Sequence, residues 1–177
     1  MMAIRLTSKL IATLLLGAGL VAGPVFAAEP AAGLSGGEQA SYLSELKRLY
    51  LTQDERQALL AHSNALLQTY ALRAGYQVGQ AQPQDRLYQL RLGGPGELLL
   101  REETRDPQSG DIAVRNQRIA LFGVDPFIRY ECPPNGISCV FYSPTDGSPL
   151  LRIVRDHQGA GELAKALSFL IRNLQKG

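Results

Sequence analysis

Cys132 and Cys139 bracket the six residues Pro133-Pro134-Asn135-Gly136-Ile137-Ser138, and the chain has no other cysteine. Asn-Gly between extended runs is a strong hairpin signal, because the two-residue turn that matches strand twist needs positive φ at both central positions. A turn centred on Asn135 and Gly136 sets Cys132 opposite Cys139, the register in which the two thiols can close a disulfide. Continued outward, it pairs Tyr130 with Phe141 on the face of the cysteines, and Glu131 with Val140 and Arg129 with Tyr142 on the other. The first face is expected to be buried and the second wet. Pro133 and Pro134 cannot donate to a ladder, so the hairpin belongs at an edge or protrudes. A disulfide closing so short a loop is worth about 2.5 kcal/mol in chain entropy. Six intervening residues do not make the C-x-x-C spacing of a redox pair, and two thiolates alone do not make a metal site.

A disulfide needs an oxidising compartment, and the start of the chain supplies the route to one. Arg5 and Lys9 form a basic start, Leu10 to Val21 is an apolar core broken by Thr13, Gly17 and Gly19, and Val25-Phe26-Ala27 is a small-x-small cleavage site before Ala28. Residues 1–27 are therefore expected to be a cleaved signal peptide. The apolar core is short and glycine-bearing for a membrane span, so no span is expected after cleavage. No cysteine lies near the cut to take a lipid. The protein is expected free in a bacterial-type periplasm.

The formal charge of +2 belongs to that leader, whose two basic residues have no acidic counterpart. A neutral remainder argues against nonspecific binding to nucleic acid or anionic lipid. With 45% hydrophobic and 19% charged residues the chain is globular in composition, and the 150 residues left after removing 27 from 177 suit one domain. Residues 28–37 are rich in Ala, Gly, Pro and Ser and are expected to be a flexible lead-in to a single domain over 38–177.

Apolar periodicity predicts an α+β fold. Tyr42, Leu43, Leu46, Leu49 and Tyr50 share one face of a helix over Gly37 to Leu51. Thr52-Gln53-Asp54-Glu55 is a capping box for a second helix, whose apolar positions run through Leu59, Leu60, Leu66, Leu67 and Tyr70 and which Gly75 closes. Short β-type runs follow, separated by turn residues: Tyr76–Gln80, Arg86–Leu92, Glu97–Glu103, Ile112–Gln117, Ile119–Val124, Phe127–Cys132, Cys139–Tyr142 and Leu150–Val154, some of them close enough to merge. Turns this frequent leave no room for parallel crossovers, so an antiparallel meander is expected. A third helix over Gly161 to Gln175 carries the stripe Leu163, Leu167, Leu170, Ile171 and Leu174, which should cover the sheet. Phe169 lies about 200° from Leu167 around that helix. It requires cover from an N-terminal helix or from a partner.

Familiar catalytic chemistry is thinly represented. There is no Trp, and there are two His and two Met, so no cofactor and no metal site is expected. Asp156-His157 precedes Gly159-Ala160-Gly161, where helix amides could hold an anion, and is the best corner for a small hydrolase. Its nucleophile would have to be a serine such as Ser138 or Ser143, with no G-x-S-x-G elbow to present it. His62 sits on the flank of the second helix. Glu102 and Glu103 are adjacent in a strand and face opposite sides, so they cannot share a substrate. Gly93-Gly94-Pro95-Gly96 lacks the lysine and helix of a phosphate loop.

What remains is a scatter of arginines over the strands: Arg86, Arg91, Arg101, Arg105, Arg115, Arg118, Arg129, Arg152 and Arg155. They are either a solvated face balanced by Glu97, Glu102, Glu103 and Glu131, or a binding face. The expectation is a non-enzymatic interaction module that binds another exported or envelope protein, such as an accessory subunit of an envelope or secretion assembly or an inhibitor of an exported enzyme. Its expected contacts are Asn135 and Ile137 at the hairpin and Arg129 and Arg152 on the sheet. A hydrolase using Asp156 and His157, or a carrier with a ligand pocket between the last helix and the sheet, is the alternative.

Overall fold

Leu51 ends the first helix by taking the left-handed conformation, with φ of 51°. In the computed structural model, which describes residues 36–176, helix α1 spans Gly36–Leu49. Leu51 N–H donates to Arg48 O at 3.4 Å and Thr52 N–H to Lys47 O at 3.0 Å, the paired bonds of a Schellman terminus. The expected leader and most of the lead-in lie outside the described residues.

Helix α2, Glu55–Thr69, is capped by Asp54 rather than by Thr52. The Asp54 carboxylate accepts the N–H groups of Arg56 at 2.8 Å and Gln57 at 3.2 Å, and Thr52 Oγ1 accepts the Asp54 N–H at 3.1 Å. The helix also stops at Thr69, well short of Gly75, because the next residues are drawn into strand pairing. Ala71 bridges to Ile153 and Leu72 to Arg86, both antiparallel. Tyr76–Gln80 is not a strand but a 3-10 turn at Ala74–Tyr76 followed by Gly79 at φ 80°. Tyr76 and Val78 of that segment are exposed, so their alternation buries nothing.

Two antiparallel three-stranded meanders follow. The first has the order β1-β2-β3, with β1 Asp85–Leu92, β2 Glu97–Arg105 and β3 Ile112–Ala120. The runs Ile112–Gln117 and Ile119–Val124 are merged here, with Arg118 as an ordinary ladder residue opposite Leu99, but the strand ends at Ala120 and the last four residues of the second run form a turn. The second has the order β4-β5-β6, with β4 Tyr130–Glu131, β5 Ser138–Tyr142 and β6 Pro149–Val154. The run expected from Phe127 shrinks to β4 because the amides before it go elsewhere: Phe127 N–H to the Asp125 carboxylate and Ile128 N–H to Ser168 Oγ. Ala71 and Leu72 lie between the two meanders, one residue pairing with β6 and the other with β1.

Helix α3, His157–Gln175, begins four residues before Gly161, since Asp156 accepts the Gly159 N–H at 2.7 Å and caps it. Gly159 has a packing reason: a Cβ there would lie 2.5 Å from the Tyr70 ring. Leu163, Leu167, Leu170 and Ile171 of α3, Leu59 and Leu67 of α2, Leu100 of β2, and Phe141, Leu151 and Ile153 of β5 and β6 are all buried in one core. Each such side chain contributes about 1.5–3 kcal/mol of transfer free energy. Phe169 is buried as well, its ring centroid 5.5 Å from that of Tyr42 on α1. The first helix, not a partner, covers it. Among the described residues no helix is long and apolar enough to cross a membrane.

Candidate interaction surface

The hairpin between β4 and β5 forms in the expected strand register, with Tyr130 opposite Phe141 and Glu131 opposite Val140. Cys132 and Cys139 are joined, their Cα atoms 4.2 Å apart. The turn itself sits one residue earlier than expected. Gly136 N–H donates to Pro133 O at 3.0 Å, which makes Pro134 and Asn135 the central pair, and Gly136 is not among the positive-φ glycines. Proline fixes its own φ near −65°, the value wanted at the second position of a type I turn. Asn135 is exposed at the tip. Ile137 is half-buried and its carbonyl accepts the Arg155 N–H at 3.0 Å, so it anchors the loop to the end of β6 and is not displayed by the tip.

Strand alternation sorts the second meander as expected. Cys139, Phe141, Leu151 and Ile153 face the core, and Tyr130 stacks on Phe141 at 5.5 Å between centroids. The opposite face carries Glu131, Tyr142, Arg152 and Val140, of which Val140 is buried rather than wet. Tyr142 is the centre of this face. Its hydroxyl donates to Glu131 Oε2 at 2.9 Å, and the Arg129 guanidinium lies 5.9 Å from its ring centroid. The bond to Glu131 holds the phenol above its ordinary pKa, with burial adding to the shift and the charges of Arg152 and Arg129 opposing it. Arg152 stands opposite Val140 in the neighbouring strand. Arg129 and Arg152 are thus brought to one face, around a tyrosine whose place was implicit in the register but not assigned a role.

The remaining arginines divide the alternatives left open above. Arg86 and Arg115 flank Glu102 at 3.0 and 2.6 Å. Arg101 binds Glu103 at 2.6 Å, and Arg105 binds the same carboxylate. Arg118 reaches Glu97 at 3.7 Å. Glu102 and Glu103 therefore serve separate sets of cations on opposite faces, as adjacent strand residues must. Burial works against ionisation of Glu102, but hydrogen bonds from Arg115 and Tyr88 outweigh it and hold the carboxyl below its ordinary range. Hydrogen bonds from Arg105 and Arg101 hold Glu103 low too. Among the described residues none of the ion pairs uses Arg91, Arg129, Arg152 or Arg155, and of these Arg129 and Arg152 are the two that meet at Tyr142.

The expected hydrolytic corner takes a structural role. Asp156 spends a carboxylate oxygen on the cap of α3, and His157 is the first residue of that helix, exposed. Ser138 and Ser143 are both buried. His62 is held between tyrosines, its Nδ1 3.1 Å from Tyr50 Oη and its ring 6.2 Å from that of Tyr42. Where a carrier would need a pocket, between α3 and the strands, apolar side chains are packed together. A concavity of about 570 Å³ opens elsewhere, at the α1–α2 connection, lined by Ser44, Lys47, Arg48, Leu51 and Gln53. Among the described residues no three His, Cys, Asp or Glu side chains converge as metal ligands would. Compared with protein-family models, with curated proteins and with solved structures, the chain has no match.

Proposed function

We propose that the protein is an exported interaction module that binds an acidic surface of another envelope or exported protein through the outer face of β4, β5 and β6. The observation that carries this reading is that two exposed arginines outside the ion pairs gather about one tyrosine. Five strand arginines have carboxylate partners within the domain, while Arg129 and Arg152 are exposed, carry no such ion pair and flank Tyr142. Tyrosine and arginine are the residues most often found to dominate binding energy, because each combines a large apolar area with directed hydrogen bonds. A guanidinium fork is shaped for carboxylates. The disulfide and the Ile137–Arg155 bond support the same reading, since a fixed surface loses little conformational entropy when it docks. The leader-like segment and the disulfide together favour a periplasmic location.

The test compares the oxidised protein with Arg152→Ala and Tyr142→Ala in crosslinked capture from periplasmic extract, followed by affinity measurement with the recovered partner. Each substitution is expected to raise Kd about 10–30-fold, the range of an interface hot spot, with the thermal midpoint unchanged. A partner that binds both variants as tightly as the parent removes this face from consideration.

A further inference from the structure

β3 is the free edge of its meander: among the described residues it pairs with β2 alone. Two flanking hydrogen bonds identify the backbone groups it leaves unused. Leu121 N–H donates to Gly96 O at 2.8 Å, and Asp106 N–H donates to Asp111 O at 2.9 Å. Hydrogen-bonded and non-hydrogen-bonded pairs alternate along an antiparallel ladder. The odd-numbered residues of β3 therefore bond to β2, and the N–H and C=O groups of Ile112, Val114, Asn116, Arg118 and Ala120 point outward. Natural edges are commonly blunted by charged side chains, proline, a bulge or shortness. This one has nine residues, no proline and an unbroken register, and its two charged side chains, Arg115 and Arg118, are paired with carboxylates of β2. It also exposes Ile112 at 59% and Val114 at 48%.

We propose that this edge pairs with the same edge of a second copy, antiparallel, about a two-fold axis through Asn116. The sequence of the strand selects this occupant and this register. Outward-pointing groups must meet outward-pointing groups, which places the axis through a residue and not between two. Through Asn116, all nine residues find partners: Ile112 faces Ala120, Ala113 faces Ile119, Val114 faces Arg118 and Arg115 faces Gln117. No arginine opposes an arginine. An axis through Arg115 or Arg118 would set two guanidinium groups directly opposite, at a cost, and one through Gln117 leaves Ile112 and Ala113 without partners. The strand holds two cations and no acid, but its charge is already answered from β2, by Glu102 at Arg115 and Glu97 at Arg118. The product is a six-stranded sheet, β1-β2-β3-β3-β2-β1, with the isologous symmetry usual in homodimers. It leaves the Tyr142 face of the other meander free.

Asn116→Cys tests the axis directly. Directly opposed residues of a hydrogen-bonded antiparallel pair have Cα atoms about 5.5 Å apart, within disulfide range, so this variant is expected to form a covalent dimer on oxidation. Val114→Cys alone is expected to remain single-chain, and a mixture of Val114→Cys with Arg118→Cys to crosslink. In sedimentation equilibrium across a concentration series the parent protein is expected to reach twice the mass of one chain. Val114→Pro, which removes an outward donor without touching the bonds to β2, is expected to stay at the mass of one chain with an unchanged circular dichroism spectrum. Val114→Lys should do the same should the proline variant fold poorly. A parent that stays monomeric overturns the proposal, including one that instead accepts an extended segment of another protein. So does a dimer that survives Val114→Lys, or an Asn116→Cys protein that does not crosslink.

Discussion

Glu102 shows how one buried charge is accommodated. It is 8% exposed, yet it accepts hydrogen bonds from Tyr88 Oη at 3.0 Å, from Arg86 at 3.0 Å and from Arg115 at 2.6 Å. Burial pushes the Tyr88 hydroxyl up to about 12, with the Glu102 charge and the hydrogen bond to it adding to the shift. Because the folded pKa of Glu102 lies below the ordinary 4.5, the unfolded chain binds its proton first. Its stabilisation is therefore complete above pH 4.5 and is lost as the pH falls through the folded value. His62 contributes in the same direction from a higher pH. Burial lowers its pKa below 6.5, with Glu162 opposing and Lys165 assisting, so stability is lost as the pH falls from 6.5 toward the folded value. Thermal melts between pH 7 and pH 3 should show two successive losses. Glu102→Gln should reduce the lower one, Glu103 retaining its own share, leave the upper one intact, and cost about 1–2 kcal/mol at neutral pH, since its two arginine partners are partly solvent-exposed. A lower loss unchanged in Glu102→Gln would place the acid sensitivity elsewhere.

Helix ends show where local signals compete. Leu51 takes a left-handed conformation, which costs an L-residue about 1–2 kcal/mol, while its side chain is 93% exposed and buries nothing in return. Leu51→Gly should raise stability by up to about 1 kcal/mol, glycine's greater freedom in the unfolded chain offsetting the remainder. Chemical denaturation with an unchanged m-value checks this, and a destabilised variant would mean that Leu51 packs against something in solution. The helices, the meander and the pairing of Tyr130 with Phe141 were all legible, because apolar spacing and the cysteine pair pointed the same way. The start of α2 was legible only to within two residues, because Thr52 and Asp54 both offer a capping oxygen and the spacing does not rank them. Asn135-Gly136 suggested a turn that Pro134 displaced. Arg129 and Tyr142 could be placed together by register, but nothing local distinguished them from Arg86, Arg101 or Arg115, whose carboxylates come from neighbouring strands.

At the scale of the whole domain the segment after α2 is the least legible and the most consequential. Ala71 and Leu72 lie in a stretch with no strand periodicity, and their partners, Ile153 and Arg86, are chosen by tertiary proximity. Val154 N–H donates to Tyr70 O at 2.9 Å and Arg86 N–H to Leu72 O at 2.8 Å, so three residues tie one meander to the other through main-chain bonds. Buried side chains from α2, α3 and both meanders belong to one hydrophobic core, which should prevent the meanders from separating on their own. In native-state hydrogen exchange the amides of Arg86 and Val154 should therefore exchange with the same free energy as those in the middle of β2. Faster exchange at these two amides alone would reveal an opening of the joint short of global unfolding. The same joint sets an order of events in folding. Its Ala71–Ile153 bridge closes a loop that contains five of the six strands and part of the last, a large entropic step taken at once. A chain that appears N-terminus first can form α1 and α2 early, but the end of α2 has no pairing partner until β6 has followed. The joint between the meanders is thus the last part of the domain to close, whatever the order in which the earlier strands pair.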